Sequence, residues 1–147
     1  MSHTAEKLHE IELFAGVPMD ALEALVEKMI PRNFKAGELL FRTGDTGDTM
    51  YFIHSGRIHI FIEDDNGKNI TITHYGENQV FGELSPIDQR TRSAHAEAAE
   101  NLDVLALSRE SFLQVLDTYP QIGIEMMIRL AWRVRNTTEL LQRENTI

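Results

Sequence analysis

The stretch Phe81–Ala94, FGELSPIDQRTRSA, places a glycine and a carboxylate before an arginine that is followed directly by a hydroxyl. Gly82 allows a close backbone approach, and a short helix after it would present N–H groups to an anion. Arg92 supplies a guanidinium fork that matches two phosphate oxygens, and Ser93 adds a hydroxyl donor. Glu83 repels phosphate but can accept a hydrogen bond from a ribose hydroxyl. The stretch predicts a site for a small phosphorylated ribonucleotide, with a structural Glu83–Arg92 ion pair as the alternative.

On both sides of this stretch, short apolar runs alternate with turn sequences, which is typical of antiparallel strands in a barrel or sandwich. Ile58, Ile60 and Ile62 share one face of a predicted strand, and that face is expected to be core. Asn66-Gly67 predicts a hairpin. The further predicted strands are Ile70–Tyr75, Ala94–Ala98 and Leu102–Leu107.

The two ends of the chain have helical periodicity. A short helix is predicted from Thr4 to Leu13, and a second from Pro18 to about Ile30. Ser108 is a suitable N-cap for a third helix, and Pro120 a suitable first residue for the last one. On that last helix, apolar positions recur at steps of three and four, at Met127, Leu130, Val134, Thr137 and Leu141. This seam of about two heptads predicts either pairing with another chain or packing onto the strands.

Composition sets outer limits on the function. The 147 residues predict one domain, and the formal net charge of −9 argues against a nucleic-acid surface, because phosphate binding depends on clustered Lys and Arg. The chain has no cysteine and no apolar run of the roughly 18 residues that a membrane span needs. We therefore expect a cytoplasmic protein that binds neither nucleic acid nor membrane.

From about Leu13 to Leu141 the sequence resembles the cyclic nucleotide-binding domain shared by bacterial catabolite activator proteins, protein kinase regulatory subunits and nucleotide-gated channels. The resemblance lies in LFAGVP, in FKAGELLFRTGDTGDTMYFIHSGRI and in FGELSPIDQRTRSA. It implies an α+β, mainly β, fold over residues 1–147. An eight-stranded antiparallel β-roll, jelly-roll-like, at about 31–108 would follow N-terminal helices at about 4–30 and precede two C-terminal helices at about 109–143.

The resemblance also implies a set of nucleotide-binding residues. Glu83 would accept from the ribose 2′-hydroxyl, and Arg92 and Ser93 would hold the phosphate. Gly82, Leu84 and Ser85 would lend backbone N–H groups. The positions that would line base and sugar, or cover the base from the last helix, are Ile60, Ile72, Thr73, Phe81, Ala94, Arg133, Thr137 and Thr138.

Several residues depart from the family pattern or invite another interpretation. Pro86 limits the length of the short helix, and Thr91 stands where a proline commonly precedes the arginine. Alternation from Ser93 would place His95 on the cavity side, but a surface or interface histidine is the favoured interpretation. The six histidines raise the alternative of a metal-dependent cupin-like enzyme. His54 and His59, five apart, are expected to face opposite sides of one strand, which disfavours a metal site.

The predicted function is a non-enzymatic sensor of cyclic AMP, or less favourably cyclic GMP, that needs neither cofactor nor metal. Binding would favour closure of the last helices or dimerisation along them. Only QRENTI follows Leu141, too little for a DNA-reading domain. The expected output is therefore a homodimer, an effector protein or a domain absent from this chain. The alternative is a module that has lost its ligand and works through the helix seam.

Overall fold

The computed structural model describes residues 2–145. The chain divides into two compact units, a strand-rich unit at 27–114 and a helical unit made of the described residues up to 26 and from 115 onward. The single-domain expectation is not tested by this division and stays a prediction.

The strand-rich unit is built from two antiparallel four-stranded sheets, in the orders β1-β8-β3-β6 and β2-β7-β4-β5. This arrangement confirms the predicted mainly β fold with eight antiparallel strands. The strands are β1 (Ile30–Phe34), β2 (Leu39–Phe41), β3 (Thr49–Ser55), β4 (Ile58–Glu63), β5 (Asn69–Tyr75), β6 (Val80–Phe81), β7 (His95–Ala98) and β8 (Leu102–Ser108).

The core of this unit collects side chains from both sheets. On β8, buried Leu102, Val104 and Ala106 alternate with the less buried Asp103 and Leu105, while Leu107 is buried on the opposite face. On β7, Ala96 and Ala98 alternate in the same way. These residues form one buried cluster with Tyr51, Ile53, Ile58 and Phe81.

The predicted faces of β4 are confirmed at Ile58, Ile60 and Phe61 by the pairing with β7. Ile58 and Ile60 lie opposite Ala98 and Ala96 on the core side, whereas Phe61 lies opposite His95, with its ring 4.8 Å from that of His59. Phe61 is only 6% exposed, so the face away from the core is also covered there. The β4–β5 pairing contains a bulge, since Ile60 pairs with Thr73 but Phe61 pairs with Thr71, which leaves Ile72 as an extra residue on β5.

Alternation from Ser93, which would place His95 on the cavity side, fails, as the favoured interpretation of this residue expected. Ala96 occupies the core side of β7, so His95 points to the opposite face. There its ring lies 5.1 Å from that of Phe61, and its Nε2 lies 3.5 Å from Glu63 Oε1.

The two histidines that were expected on one strand lie on two. His54 is in β3 and His59 is in β4. The glycine turn at Ser55-Gly56 separates them, with Gly56 at φ 99°. The argument that period-two alternation keeps them apart was therefore wrong.

The helices follow the sequence signals closely. The predicted first helix is a helix followed by a 3-10 turn, and the second ends before Ile30, where β1 begins. Ser111 N donates to Ser108 Oγ at 3.2 Å, which confirms Ser108 as an N-cap. The elements are α1 (Ser2–His9), the 3-10 turn Glu12–Phe14, α2 (Met19–Lys28), α3 (Ser85–Asp88), α4 (Arg109–Thr118) and α5 (Gln121–Asn145).

The helical unit leaves the predicted seam of α5 exposed. Met127, Val134 and Leu141 are 62%, 66% and 56% exposed, and Leu130 is half-buried. Arg133 Nε lies 4.0 Å from Glu12 Oε1 in the 3-10 turn. None of the described helices is long and apolar enough to cross a membrane.

Candidate anion-binding cavity

The strand-rich unit contains a cavity of about 540 Å³, within the 300–1,000 Å³ that small-molecule sites typically occupy. Its walls come from β2, β4, β5, β6, α3 and the segment that leads into β7. The lining residues are Phe41, Ile60, Tyr75, Phe81, Gly82, Glu83, Leu84, Ser85, Asp88, Arg90, Thr91, Arg92, Ser93 and Ala94.

Arg92 is the central polar group of this cavity. It is 8% exposed and is the one charged or polar residue that is buried within the part of the chain whose burial is described. Its Nη1 donates to Ser85 Oγ at 2.7 Å and its Nη2 to the carbonyl of Thr49 at 2.9 Å. The guanidinium carbon lies 4.2 Å from the ring centroid of Phe41, at cation–π distance. The guanidinium is thus held in one orientation.

One donor of Arg92 has no partner within the described residues. Its Nε is buried and makes no hydrogen bond. An unpaired buried donor costs about 1–3 kcal/mol, more if charged, so such a group needs a reason. Nε lies beside Gly47 without accessible surface, whereas Nη1 and Nη2 each carry a second N–H that would be available to an anion.

Two glycines leave room for the guanidinium. A Cβ at Gly47 would overlap Arg92 Nε, and a Cβ at Gly82 would lie 2.8 Å from Arg92 Nη1. Gly82 also has φ 67°, a left-handed conformation that favours glycine. The GDTG turn at 44–47 and the FGEL turn at 81–84 therefore both leave space for the Arg92 side chain.

The backbone of Arg92 is fastened to the loop after β2. Arg92 N donates to the carbonyl of Asp45 at 2.8 Å, and Gly44 N donates to the carbonyl of Arg92, also at 2.8 Å. Thr46 and Thr91 form an isolated β-bridge beside these bonds. The loop between β2 and β3 thus sets the position from which Arg92 reaches the cavity.

Burial lowers the pKa of the Arg92 guanidinium below its ordinary value, because the charged form loses solvation. Tyr51, Asp48, Asp45 and Asp88 oppose this effect and raise the pKa. The folded protein thus holds a cation where solvation is poor, and the nearby acidic groups offset part of the resulting decrease in its pKa.

An aromatic wall lies behind the guanidinium. The ring of Phe81 stacks on Tyr51 with 5.0 Å between centroids and on Tyr75 with 6.2 Å. Phe41 lies 6.4 Å from Phe81. Rings of this kind offer an apolar surface to a flat or sugar-like ligand.

The structural alternative for Glu83 is not supported. The ion pairs of the described residues do not include Glu83 with Arg92. Glu83 is half-buried and lines the cavity together with Arg92. A carboxylate and a guanidinium thus face one cavity without neutralising each other at contact distance.

Most of the predicted site residues line this cavity: Ile60, Phe81, Gly82, Glu83, Leu84, Ser85, Arg92, Ser93 and Ala94. Thr73 pairs with Ile60 but is outside the lining, and Ile72 sits in the bulge at 56% exposure. Arg133, Thr137 and Thr138 lie on α5 in the helical unit, where the two threonine hydroxyls donate to the carbonyls of Arg133 and Val134. Their predicted contacts with the base stay a prediction.

The predicted role of the Ser85 backbone stays a prediction. In the free protein Ser85 N donates to the carbonyl of Gly82 at 3.0 Å. The hydroxyl of Ser85 accepts a hydrogen bond from Arg92 Nη1.

Sequence reasoning missed part of the lining, namely Phe41, Tyr75, Asp88, Arg90 and Thr91. Tyr75 was available from alternation, since it is two residues after Thr73 on the same strand face. The role of the Thr49 carbonyl had no sequence signal, because a backbone group carries no residue identity. Among the described residues, no three His, Cys, Asp or Glu side chains are grouped to hold a metal ion.

Comparison with known proteins shows the family to which this chain belongs. The profile described as "Cyclic nucleotide-binding domain" matches residues 31–119, more than half of the chain. The cyclic AMP receptor protein of Thermus thermophilus is 31% identical over 123 residues, which cover 84% of this chain and 57% of that protein. The chain thus spans little more than half the length of this relative.

Two solved structures share the fold. The N-terminal domain of a transcriptional regulator from Streptomyces coelicolor has a TM-score of 0.86 at 25% identity, over 92% of this chain and 94% of that chain. A cyclic nucleotide-binding-like protein from Brucella abortus has a TM-score of 0.70 at 32% identity, over 78% of this chain and 97% of that chain. The chain therefore belongs to the cyclic nucleotide-binding domain family.

Proposed function

We propose that this protein is a non-enzymatic sensor of cyclic AMP, with cyclic GMP as the less favoured ligand. The observation that carries the proposal is the buried guanidinium of Arg92, which lines the same cavity as Glu83. The phosphodiester of a cyclic nucleotide supplies an acceptor for the guanidinium, and its ribose supplies the 2′-hydroxyl as a donor to the carboxylate.

The preference for the cyclic monophosphate follows from the charges around the cavity. Glu83 and Asp88 line it together with Arg90 and Arg92, so the walls are balanced in formal charge. A ligand with one negative charge fits this balance better than a nucleotide with several. The name of the Thermus relative, a cyclic AMP receptor, favours adenine over guanine.

Residues outside the lining complete the proposed site. Ile72 and Thr73 on β5 would contact the base and sugar beside Ile60. On α5, Arg133 would stack on the base and Thr137 and Thr138 would offer it their hydroxyls. In the free protein both hydroxyls donate to backbone carbonyls within α5, so they would have to rotate to donate to a ligand.

The proposed output is a change in α5. A ligand that contacts both the cavity and α5 favours the arrangement in which it makes both sets of contacts, by the difference in its affinity for the two states. The exposed seam of Met127, Val134 and Leu141 would then pair with a second copy or with an effector protein.

Titration calorimetry with cyclic AMP and with cyclic GMP tests the proposal. We expect dissociation constants in the micromolar range or tighter (about −8 kcal/mol), and tighter binding of cyclic AMP. A thermal melt should rise with ligand, by mass action on the folded state. No heat and no shift with either nucleotide at millimolar concentration would refute a cyclic nucleotide sensor.

A second candidate function is a ligand-free interaction module, which the exposed seam of α5 favours by itself. In that case the protein would self-associate to the same extent with and without nucleotide. Sedimentation velocity distinguishes the two, with Val134→Asp as the variant that should dissociate a seam-mediated dimer. A dimer that forms only with cyclic AMP would support the sensor.

A further inference from the structure

His95 joins β7 to the loop between β2 and β3. Its Nδ1 accepts a hydrogen bond from Thr43 N at 3.2 Å, across 52 positions of the sequence. Thr43 directly precedes Gly44, whose N–H donates to the carbonyl of Arg92 at 2.8 Å. Asp45 follows, and its carbonyl accepts from Arg92 N at the same distance. The loop is therefore bonded to His95 one residue before the point at which it holds the backbone of Arg92.

The bond to Thr43 requires a neutral imidazole. Because a backbone N–H can only donate, Nδ1 must be the unprotonated nitrogen, and the one ring proton of neutral His95 lies on Nε2. Nε2 lies 3.5 Å from Oε1 of Glu63 on β4. The two nitrogens of the ring thus face two different elements, a donor on the loop and an acceptor on the strand.

Protonation of His95 would affect these two contacts in opposite ways. Nδ1 would carry a hydrogen that points at the Thr43 N–H, so two donors would face each other and the bond to the loop would be lost. The contact with Glu63 would persist and would gain an attraction between opposite charges. A protonated His95 would therefore stay with β4 and release the loop.

His59 is the neighbouring group that resembles His95 most. The two lie on the same face of the sheet, because the ring of Phe61 contacts both, at 5.1 Å from the His95 ring and 4.8 Å from the His59 ring. His59 Nε2 lies 2.8 Å from Thr71 Oγ1, so His59 is bonded to β5 rather than to the loop. The charged or titratable groups on this face of the sheet are His59, Glu63, His74 and Glu97, and those of the loop are Arg42, Asp45 and Asp48.

We propose that His95 positions Arg92 through this loop, and does so only as the neutral imidazole, so that acid weakens binding of the ligand; this rests on the proposed function. Besides the two backbone bonds to Arg92, the loop places Gly47 directly against the Arg92 side chain. Once Thr43 is released, the loop loses a bond that holds it in this position, and the guanidinium loses part of its support. Histidine changes charge between about pH 5 and 8, so the effect falls in that range.

The test measures the affinity for cyclic AMP by calorimetry at about pH 7.5 and at about pH 5.5, on the two sides of an ordinary histidine titration. In the wild type the affinity should be about 2- to 10-fold lower at the acid pH, the value of one hydrogen bond. His95→Gln, whose side chain does not titrate, should bind equally at both pH values. His59→Gln, the matched control, should keep the pH dependence of the wild type. A wild type without pH dependence, or a His95→Gln variant that keeps it, would overturn the proposal.

Nuclear magnetic resonance of the ligand-free wild type tests the contact without any variant and without nucleotide. At neutral pH the His95 ring should show the tautomer with its hydrogen on Nε2, and the Thr43 amide resonance should shift with pH together with the ring. A Thr43 amide that does not follow the ring would overturn the role of His95 and leave the sensor intact. A wild type that binds no cyclic nucleotide at either pH would instead refute the proposed function.

Discussion

Replacing Arg92 with alanine removes the group that the cavity is built around. The side chain is 8% exposed, and it contacts Ser85 Oγ, the carbonyl of Thr49 and the face of Phe41. In the complex it would also hold the phosphate. Its loss therefore acts on ligand binding and on the fold, and the two effects must be measured separately.

The effect on binding should be large. Truncating one partner of a buried, hydrogen-bonded charge pair costs about 2–5 kcal/mol, which corresponds to about 30-fold to several thousand-fold weaker binding. Arg92→Lys should lose most of the same affinity, because an ammonium lacks the planar fork and the Nε donor. The two variants together separate charge from geometry.

The effect of Arg92→Ala on the free energy of unfolding should be smaller, because two contributions to it oppose each other. The variant leaves the Thr49 carbonyl without its donor, which destabilises the folded state. It also removes a cation whose pKa is lowered by burial, which is a cost that the folded state no longer bears. Arginine is protonated in both folded and unfolded states near neutral pH, so this second contribution should not vary with pH there.

Calorimetry with cyclic AMP is the assay, and Arg90→Ala is the matched control. Arg90 lines the same cavity but is exposed, and its removal changes the net charge equally. A rim charge contributes about 0–1 kcal/mol, so the control should lose no more than about fivefold. Equal losses in Arg90→Ala and Arg92→Ala, with both variants folded by circular dichroism, would refute a specific role for the buried guanidinium.

Three further substitutions test separate parts of the structure. Gly47→Ala places a methyl group against Arg92 Nε and should lower the affinity for cyclic AMP at least tenfold. Gly76→Ala is the control, because nothing lies within 4 Å of its added Cβ and its affinity should not change. Equal affinities of the two variants by calorimetry would contradict this expectation. Glu83→Ala should reduce the ratio of the affinities for cyclic AMP and its 2′-deoxy analogue to about one. An unchanged ratio would show that Glu83 does not contact the ribose. Ser108→Ala should lower the free energy of unfolding by about 0.5–2 kcal/mol in urea, through loss of the N-cap of α4, with ligand affinity unchanged.

The candidate site could be located from the sequence because most of its residues lie in one short stretch. Glycine, glutamate, arginine and serine there predicted an anion and a hydroxylated partner, with a structural ion pair as the alternative. What orients Arg92 was not predictable. The Thr49 carbonyl lies 43 positions away, and only the pairing of β3 with β6 and β8 brings it to the guanidinium.

Alternation left two features of the strands undetermined. The bulge at Ile72 adds a residue to β5 without changing the faces of β4, and Phe61 is buried on the face away from the core. Alternation counted from Ser93 gave the wrong side for His95 because Ser93 precedes the first residue of β7 and so lies outside the strand. The strands themselves were recognisable, because their apolar runs and glycine turns do not depend on register.

The buried guanidinium of Arg92 connects the energetics of the free protein to its proposed role. Its Nε has no hydrogen-bond partner among the described residues, and nearby Asp45, Asp48 and Asp88 offset only the charge, not the missing hydrogen bond. Because Thr49 and Ser85 fix the guanidinium before any ligand arrives, an incoming phosphate meets donors that need no reorganisation. The proposed site therefore gains affinity from its preorganisation, and the folded domain bears the cost of holding the cation in place.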